Sequence, residues 1–140
     1  MTRTELQDAI VDCLEDDPNF MGFTIKKSIQ AIYPHDFNVL SPIGALLVTV
    51  LGANHEGEIN NTTLGKVTRI KIAVGVRSAI DDCTKLDDAI DAVYDCLSYQ
   101  RISLEADKLM PVLDRTLTER PVDGIFWSEV IFKILHYVGR

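Results

Sequence analysis

Two apolar segments on either side of a polar stretch constrain this chain more than any other feature of its sequence. The first runs from Ile43 to Leu51 and the second from Val67 to Arg77. In the second segment the branched apolar residues fall at every other position: Ile70, Ile72, Val74 and Val76. A period of two is typical of a β-strand with one buried face and one face in water. The stretch between them, Gly52 to Gly65, is predicted to be a long loop, and such loops are usually functional or disordered.

Two amphipathic helices are predicted at separate places along the chain. The first opens with the capping box Thr2-x-x-Glu5, carries apolar residues at helical spacing as far as Leu14, and ends at Asp16-Asp17-Pro18-Asn19. The second is capped by Thr84-x-x-Asp87 and has an apolar stripe from Leu86 to Leu97. The side opposite that stripe is acidic and carries Asp87, Asp88, Asp91 and Asp95.

Three further segments have strand character. From Phe23 to Tyr33 apolar and polar residues alternate, which predicts one strand or two short ones. Lys27 interrupts the apolar face of this segment. Val112 to Val122 is a weaker candidate, and Ile125 to Val138 is rich in aromatic and β-branched residues. The order of elements predicts one domain spanning residues 1–140 with an α+β fold. In it, a mostly antiparallel sheet of about five strands, joined largely by hairpins, carries two helices on one face.

Composition narrows the classes of protein that this chain can represent. It has 140 residues, 46% of them hydrophobic, and a formal net charge of −7. An acidic balance argues against a protein that grips nucleic acid by neutralising phosphates. No apolar run reaches the roughly 18 residues that a membrane span requires. Cys13, Cys83 and Cys96 form no CxxC pair and are predicted to be reduced thiols packed as small hydrophobes.

Catalytic chemistry finds little support. The three histidines are isolated, and glycine-rich phosphate loops and nucleophile elbows are absent from the sequence. The aspartate cluster lacks the spacing of a calcium loop and is interpreted as a solvated helix face. We therefore expect neither an enzyme nor a cofactor or metal. A basic stripe along one strand is interpreted as a solvated or subunit-facing surface; it consists of Lys66, Arg69, Lys71 and Arg77.

The order of these elements resembles the tail terminators of long-tailed bacteriophages, the lambda-type family of small proteins that cap the tail tube. The shared features begin with the Thr4-Glu5-Leu6 entry to a short helix and the Pro42-led apolar strand with its Leu51-Gly52-Ala53 exit. They continue with a loop containing Gly and Glu, the alternating strand to Arg77, the second helix and the closing Trp127-Ser128 strand. Two features depart from that pattern, namely the long Ser98 to Pro111 segment and the basic Gly139-Arg140 end. They leave the tail type open.

This resemblance implies a virion structural protein in the tail or neck, assembled in the host cytoplasm. Such proteins form homohexameric rings that stop tube polymerisation and present a surface to the head connector. Genome DNA would pass through the ring without specific binding, repelled by acidic groups that face the channel. Strong binding of the ring to duplex DNA at physiological salt would contradict that expectation. The predicted intersubunit contacts are His55, Glu56, Glu58, Arg69, Lys71 and Arg77.

The sequence leaves alternative functions open. One is another head-to-tail joining or tail-completion protein of the neck, which would share the fold and the ring symmetry. A different class is a small α+β binding module that dimerises through its strands. Stoichiometry separates these classes, since rings of six are uncommon among simple binding modules. An enzyme would instead need a concave pocket that collects titratable groups with perturbed pKa values.

Overall fold

The computed structural model describes residues 3–28, 43–60, 63–77, 84–102, 108–112 and 125–139. Helix α1 spans Arg3–Glu15 and is followed by a short 3₁₀ turn at Pro18–Phe20. Helix α2 spans Thr84–Leu97. The strands are β1 (Thr24–Ser28), β2 (Gly44–Asn60), β3 (Thr63–Arg77), β4 (Met110–Pro111) and β5 (Ile125–Gly139).

The five strands form one mixed sheet in the order β1-β2-β3-β5-β4. Its centre consists of three long strands, with β2 antiparallel to β3 and β3 antiparallel to β5 along its whole length. Short strands flank this centre, β1 beside β2 and β4 beside β5. The predicted α+β fold with a mostly antiparallel sheet is confirmed.

Both helices pack on the same face of the sheet, as the sequence predicts. The stripe of α1 presents Leu6, Ile10 and Leu14, each at most 1% exposed. Helix α2 buries Leu86, Ala89, Val93 and Leu97, and the ring of Tyr94 lies 5.6 Å from that of Phe132 on β5. These side chains form one core with the helix-facing residues of the central strands, which include Leu46, Val48, Val50, Ile70, Ile72, Val74, Val130, Phe132 and Ile134.

One polar side chain ties α1 to the sheet from within this core. The Gln7 side chain is 7% exposed, and its Nε2 donates a hydrogen bond of 2.7 Å to the carbonyl oxygen of Val48. A buried amide is tolerated when it is hydrogen-bonded in this way. Helix α1 ends at Glu15, where the Asp17 side chain accepts from the backbone N–H of Asn19 and caps the 3₁₀ turn. The predicted stop signal is therefore confirmed.

The first strand differs from the prediction in its pairing, and the predicted part beyond Ser28, as far as Tyr33, lies outside the described residues. Its described part ends at Ser28, and it runs parallel to β2, with Thr24 opposite Ala45. A parallel pair requires a crossover of roughly a dozen residues rather than a hairpin, and the stretch 29–43 is long enough for one. Lys27, which interrupts the apolar parity, forms an ion pair of 2.6 Å with Asp8 of α1. Both of these side chains are about half exposed, so the pair adds little stability.

The predicted loop from Gly52 to Gly65 is wrong for its described residues. Strand β2 continues through Asn60 and β3 begins at Thr63, so the two strands form one long hairpin. The pairing has irregular register between Val50 and Ala53 and again between His55 and Asn60. The polar composition of this stretch hides its strand character, because backbone hydrogen bonds to a partner strand do not require apolar alternation.

The prediction of one buried and one wet face for β3 is also wrong over part of that strand. Ala73 is 1% exposed, although it lies on the face that turns away from the helices. It packs there with Ala45 and Leu47 of β2 and Ile125 of β5. Small residues such as alanine do not distinguish a wet face from a buried one, so the alternation in the sequence overstates the exposure. Both faces of the sheet carry buried side chains at this end.

The weaker strand candidate from Val112 to Val122 lies mostly outside the described residues. What the structure does describe is the short strand β4, at Met110–Pro111 just before it. Met110 lies opposite Lys133, and the backbone N–H of Val112 donates a 2.9 Å hydrogen bond to the carbonyl oxygen of Ile131. Pro111 lies opposite Phe132 and lacks an N–H, which is compatible with an edge strand.

Two of the three cysteines lie between the helices. Cys13 of α1 and Cys96 of α2 are partly buried thiols that pack against the core, and Cys96 Sγ donates to the carbonyl oxygen of Cys13 at 3.5 Å. Burial raises the pKa of Cys96 to about 12, with a hydrogen bond to Asp17 and the negative charges nearby adding to the effect. Burial also raises the pKa of Cys13, as do Asp16 and Asp12. Cys83 lies outside the described residues.

These pKa values predict slow modification of Cys96 in the folded protein. Only the thiolate reacts with a maleimide, so a pKa near 12 leaves a reactive fraction at pH 8 on the order of 10⁻⁴. We expect Cys96 to be labelled at least about a hundredfold more slowly in buffer than in urea, measured by peptide mass spectrometry on a Cys83→Ser variant. Equal rates would contradict this burial. Because folding raises this pKa from 9.0, its contribution to stability is present below pH 9.0 and is lost as pH rises toward 12.

Candidate functional site

The central strands continue as a ribbon past the part of the sheet that packs on the helices. The described core residues of these strands reach Val50, Ile70 and Ile134. Pairing goes on from there, with Asn60 opposite Thr63 and Thr63 opposite Gly139. At about 3.3 Å per residue, the stretch of β3 from Ile70 to Thr63 is roughly 23 Å long. We name this three-stranded extension the ribbon.

The ribbon has long strand edges on both sides. Strand β1 pairs with β2 only as far as Thr49, and β4 pairs with β5 only at Lys133 and Phe132. Within the part of the chain that the structure describes, the edges of β2 beyond Thr49 and of β5 beyond Lys133 have no neighbouring strand. Such an edge presents unpaired N–H and C=O groups and is a template for pairing with another chain.

Three of the six predicted contact residues lie on the hairpin of the ribbon. His55 is on β2 opposite Lys66, and Glu58 is on β2 opposite Leu64. Glu56 lies between them, where the register shifts. The hairpin therefore brings these three positions to one end of the molecule. Their role in subunit contacts stays a prediction.

The other three predicted residues share one parity of β3. Arg69 and Lys71 lie on the face away from the helices, like Ala73, whereas Arg77 ends the strand and lines a cleft beside α2. Lys71 forms an ion pair of 3.2 Å with Glu129 of β5, and the two side chains are 17% and 20% exposed. Lys71 thus has a partner within its own chain, which makes it a weaker candidate for an intersubunit salt bridge. Arg69 is exposed and lies opposite Lys133, so this pair leaves two positive charges side by side.

Arg77 lies at the far end of β3 from the hairpin, beside a cleft that sequence reasoning missed. The cleft has a volume of about 400 Å³. It lies where α2 meets the start of β2 and the end of β3. Its lining combines apolar, polar and charged residues, namely Asn19, Phe23, Ile43, Val76, Arg77, Lys85, Asp88, Ala89 and Ala92. No short sequence motif identifies it, because these residues come from distant parts of the chain.

One lining residue of the cleft and one residue close to the lining in sequence have exposed apolar side chains. Ile43 is 52% exposed, and Met21 is 83% exposed. Gly22 lies between Met21 and the cleft residue Phe23 and has a φ of +86°, a conformation that favours glycine. A Cβ at Gly22 would lie 2.9 Å from Ile43 Cδ1, the movable end of an exposed side chain, so the positive φ is the stronger reason for glycine at this position.

Other kinds of site find little support in the described residues. No group of three or more metal-ligating side chains comes together among them. Within the same residues, no helix has the length and apolar character to cross a membrane. The hydroxyl of Thr49 is buried on the face away from the helices, and it has no hydrogen-bond partner among the residues that the structure describes.

Comparison with known proteins gives a likeness of fold. No protein family and no curated protein sequence matches this chain. Among solved structures, the chain is similar to a protein chain in the virion of a native gene transfer agent particle, with a TM-score of 0.64 and 16% sequence identity. The match covers 95% of this chain and 95% of that one. It shows that the two proteins share a fold over nearly their whole length.

Proposed function

We propose that this chain is a structural protein of a phage-like virion, and more specifically a tail terminator that forms a homohexameric ring on the end of the tail tube. The observation that carries the proposal is the ribbon, whose long strand edges lack neighbours within the described residues. The fold likeness to a chain of a gene transfer agent virion supports the same class of protein. In this proposal the protein is not an enzyme and needs no cofactor.

A ring requires heterologous contacts, in which one patch of a subunit meets a different patch of the next. The ribbon and the cleft lie at opposite ends of the long strands and provide two different patches. One ring face would bind the tail tube protein and stop its polymerisation, and the other would bind the head connector. This places the protein in the tail or neck of the virion, assembled in the host cytoplasm.

The acidic side of α2 fits the requirement that DNA pass through the ring without being held. Asp87, Asp88, Asp91 and Asp95 are all exposed. If this side faces the channel, carboxylates repel the phosphates of the passing duplex rather than binding them. The net charge of −7 acts in the same direction.

The mass of the protein in solution tests the ring. We expect light scattering after size exclusion, over a concentration series, to show a species of six times the 15.6 kDa chain mass, or a monomer that converts to it at high concentration. Added to purified tube protein, the ring should then stop tube growth. The same protein without tube protein serves as the control for ring assembly alone. A concentration-independent dimer would contradict the ring and favour a dimeric binding module that uses the cleft. A hexamer without effect on tube growth would indicate another neck protein.

A further inference from the structure

We propose that Arg69 and Lys133 on the sheet bind the acidic end of helix α1 of a neighbouring copy of this chain. This inference rests on the proposed function, because it names a contact between subunits of the ring. We name Arg69 and Lys133 the cation pair, and Asp12, Glu15 and Asp16 the acidic end. All five side chains are exposed. Each group holds like charges close together, and contact between copies would neutralise both.

The cation pair lies on the face of the sheet away from the helices. Lys133 of β5 is directly opposite Arg69 of β3 on one side and Met110 of β4 on the other. Residues opposite each other on antiparallel strands have Cβ atoms about 5 Å apart, and like charges in that position are destabilising. The nearby Lys71 is ion-paired with Glu129 and leaves no carboxylate over. The two cations therefore have no carboxylate partner among the described residues.

The acidic end is formed by the last turn of α1 and the residue that follows it. The backbone N–H of Asp16 donates a 3.1 Å hydrogen bond to the carbonyl oxygen of Asp12, so helical geometry continues past Glu15. Helix positions i, i+3 and i+4 are neighbours on one face, so the three carboxylates lie together. They lie at the negative end of the helix dipole, where a cation is favourable, yet the last turn contains no basic residue. Lys27 contacts Asp8, one turn earlier.

The two groups match in charge and in spacing. Residues four apart on a helix have Cβ atoms about 5–6 Å apart, close to the separation of opposite residues on antiparallel strands. One carboxylate can therefore face Arg69, which binds it through two parallel N–H···O bonds, while the next faces Lys133. Each surface also has an exposed methionine, Met110 opposite Lys133 and Met21 directly after the 3₁₀ turn that follows α1. This complementarity selects a second copy of this chain as the occupant.

The sheet separates the cation pair from the acidic end of its own subunit. Helix α1 packs on one face of the sheet through Leu6, Ile10 and Leu14, and the cation pair lies on the other face. The two groups can therefore meet only between copies, and the contact joins different surfaces of the two subunits. A contact of this kind produces a ring when the rotation between neighbours closes. The acidic side of α2 takes no part in it and is left for the channel.

A single charge reversal tests the cation pair. Lys133→Glu places a carboxylate opposite Arg69, which closes an ion pair within the subunit and removes the charge offered to a neighbour. We expect the monomer to unfold at the same temperature or slightly higher, because opposite charges replace like charges across the strands. The midpoint concentration of hexamer assembly should nevertheless rise at least about tenfold in low-salt buffer. Lys26→Glu is the matched control on the same face of the sheet, opposite Leu47, and should assemble as the parent does.

Mixing two full reversals provides the decisive measurement. Arg69→Glu/Lys133→Glu makes the sheet surface acidic, and Asp12→Lys/Asp16→Lys makes the end of α1 basic. Neither variant should assemble well alone, since like charges then meet at every contact. In an alternating hexamer each acidic surface faces a basic one, so we expect the equimolar mixture to recover hexamers in native mass spectrometry. Circular dichroism checks that both variants are folded.

Contrary results would assign these surfaces differently. Asp91→Lys/Asp95→Lys makes the equivalent change on α2, and weaker assembly of this variant beside unimpaired Asp12→Lys/Asp16→Lys would overturn the proposal in favour of α2. Binding of duplex DNA that Lys133→Glu abolishes, with assembly unchanged, would assign the cation pair to nucleic acid instead. Parent rings that none of these variants weakens would overturn this contact alone. A parent protein that forms no ring at any concentration would overturn the proposed function as well.

Discussion

Phe132→Asp is expected to prevent folding, with no cooperative thermal transition and no soluble monomer. Phe132 is fully buried at the centre of β5, where it lies opposite Ile70 and packs against Tyr94 of α2. Loss of a buried phenylalanine side chain costs about 3–5 kcal/mol, and burying an unpaired carboxylate costs several kcal/mol more. A domain of this kind has a total stability of about 5–15 kcal/mol, so this single substitution removes most or all of it.

The adjacent residue provides a matched control for that substitution. Lys133 is exposed, and Lys133→Asp introduces the same carboxylate one position along the strand. We expect it to unfold within a few degrees of the parent. Phe132→Leu should lie between the two, since it keeps the site apolar and loses about 1–2 kcal/mol. A Phe132→Asp variant that unfolds cooperatively near the temperature of the parent would show that this site is not part of the core.

Shortening the hairpin is expected to abolish ring assembly without unfolding the subunit. His55 lies opposite Lys66, so replacing residues 56–65 by Asn-Gly joins two positions that already face each other. Asn-Gly is the preferred connection for a two-residue hairpin. The described core residues nearest to the cut, Val50 and Ile70, keep their partners. We expect an increase in the dissociation constant of the ring of at least about a hundredfold, equivalent to about 2.7 kcal/mol.

The controls for this deletion separate folding from assembly. A Thr62→Gly variant places the same Asn-Gly pair between the strands while keeping the hairpin at full length, and it should assemble as the parent does. Circular dichroism and thermal unfolding of the shortened protein should match those of the parent monomer. Rings formed as readily by the shortened protein as by the parent would contradict the role of the hairpin. Loss of the thermal transition would instead mean that the ribbon stabilises the subunit itself.

Sequence reasoning succeeded where a local pattern carries the structural information. Helix α2 was predicted from the Thr84 cap and an apolar stripe ending at Leu97, and it spans those residues. Capping and helical periodicity depend on neighbours three or four positions away, so the sequence alone contains them. The alternation of Ile70, Ile72, Val74 and Val76 likewise predicts the buried face of β3. These residues pack in the core with the helices. These features also determine the fold class.

The polar part of the hairpin and the direction of β1 were missed for one common reason. Strand pairing satisfies backbone groups through a partner that lies elsewhere in the chain, and its direction leaves little trace in side-chain alternation. The stretch from Gly52 to Asn60 looks like a loop until β3 is placed beside it. The role proposed for His55, Glu56 and Glu58 in subunit contacts does not depend on whether this segment is a loop or a strand.

Tertiary structure alone decided which surfaces this protein offers to a partner. The ion pair of Lys71 with Glu129 forms because antiparallel pairing brings β3 beside β5. The cleft exists because Phe23, Ile43 and Arg77 approach α2 from three separate segments. Such contacts join residues that are distant in sequence and are chosen by the packing of the whole chain. The sequence by itself determined the helices, the apolar strand faces and the acidic charge, since each is a local or summed property of the residues.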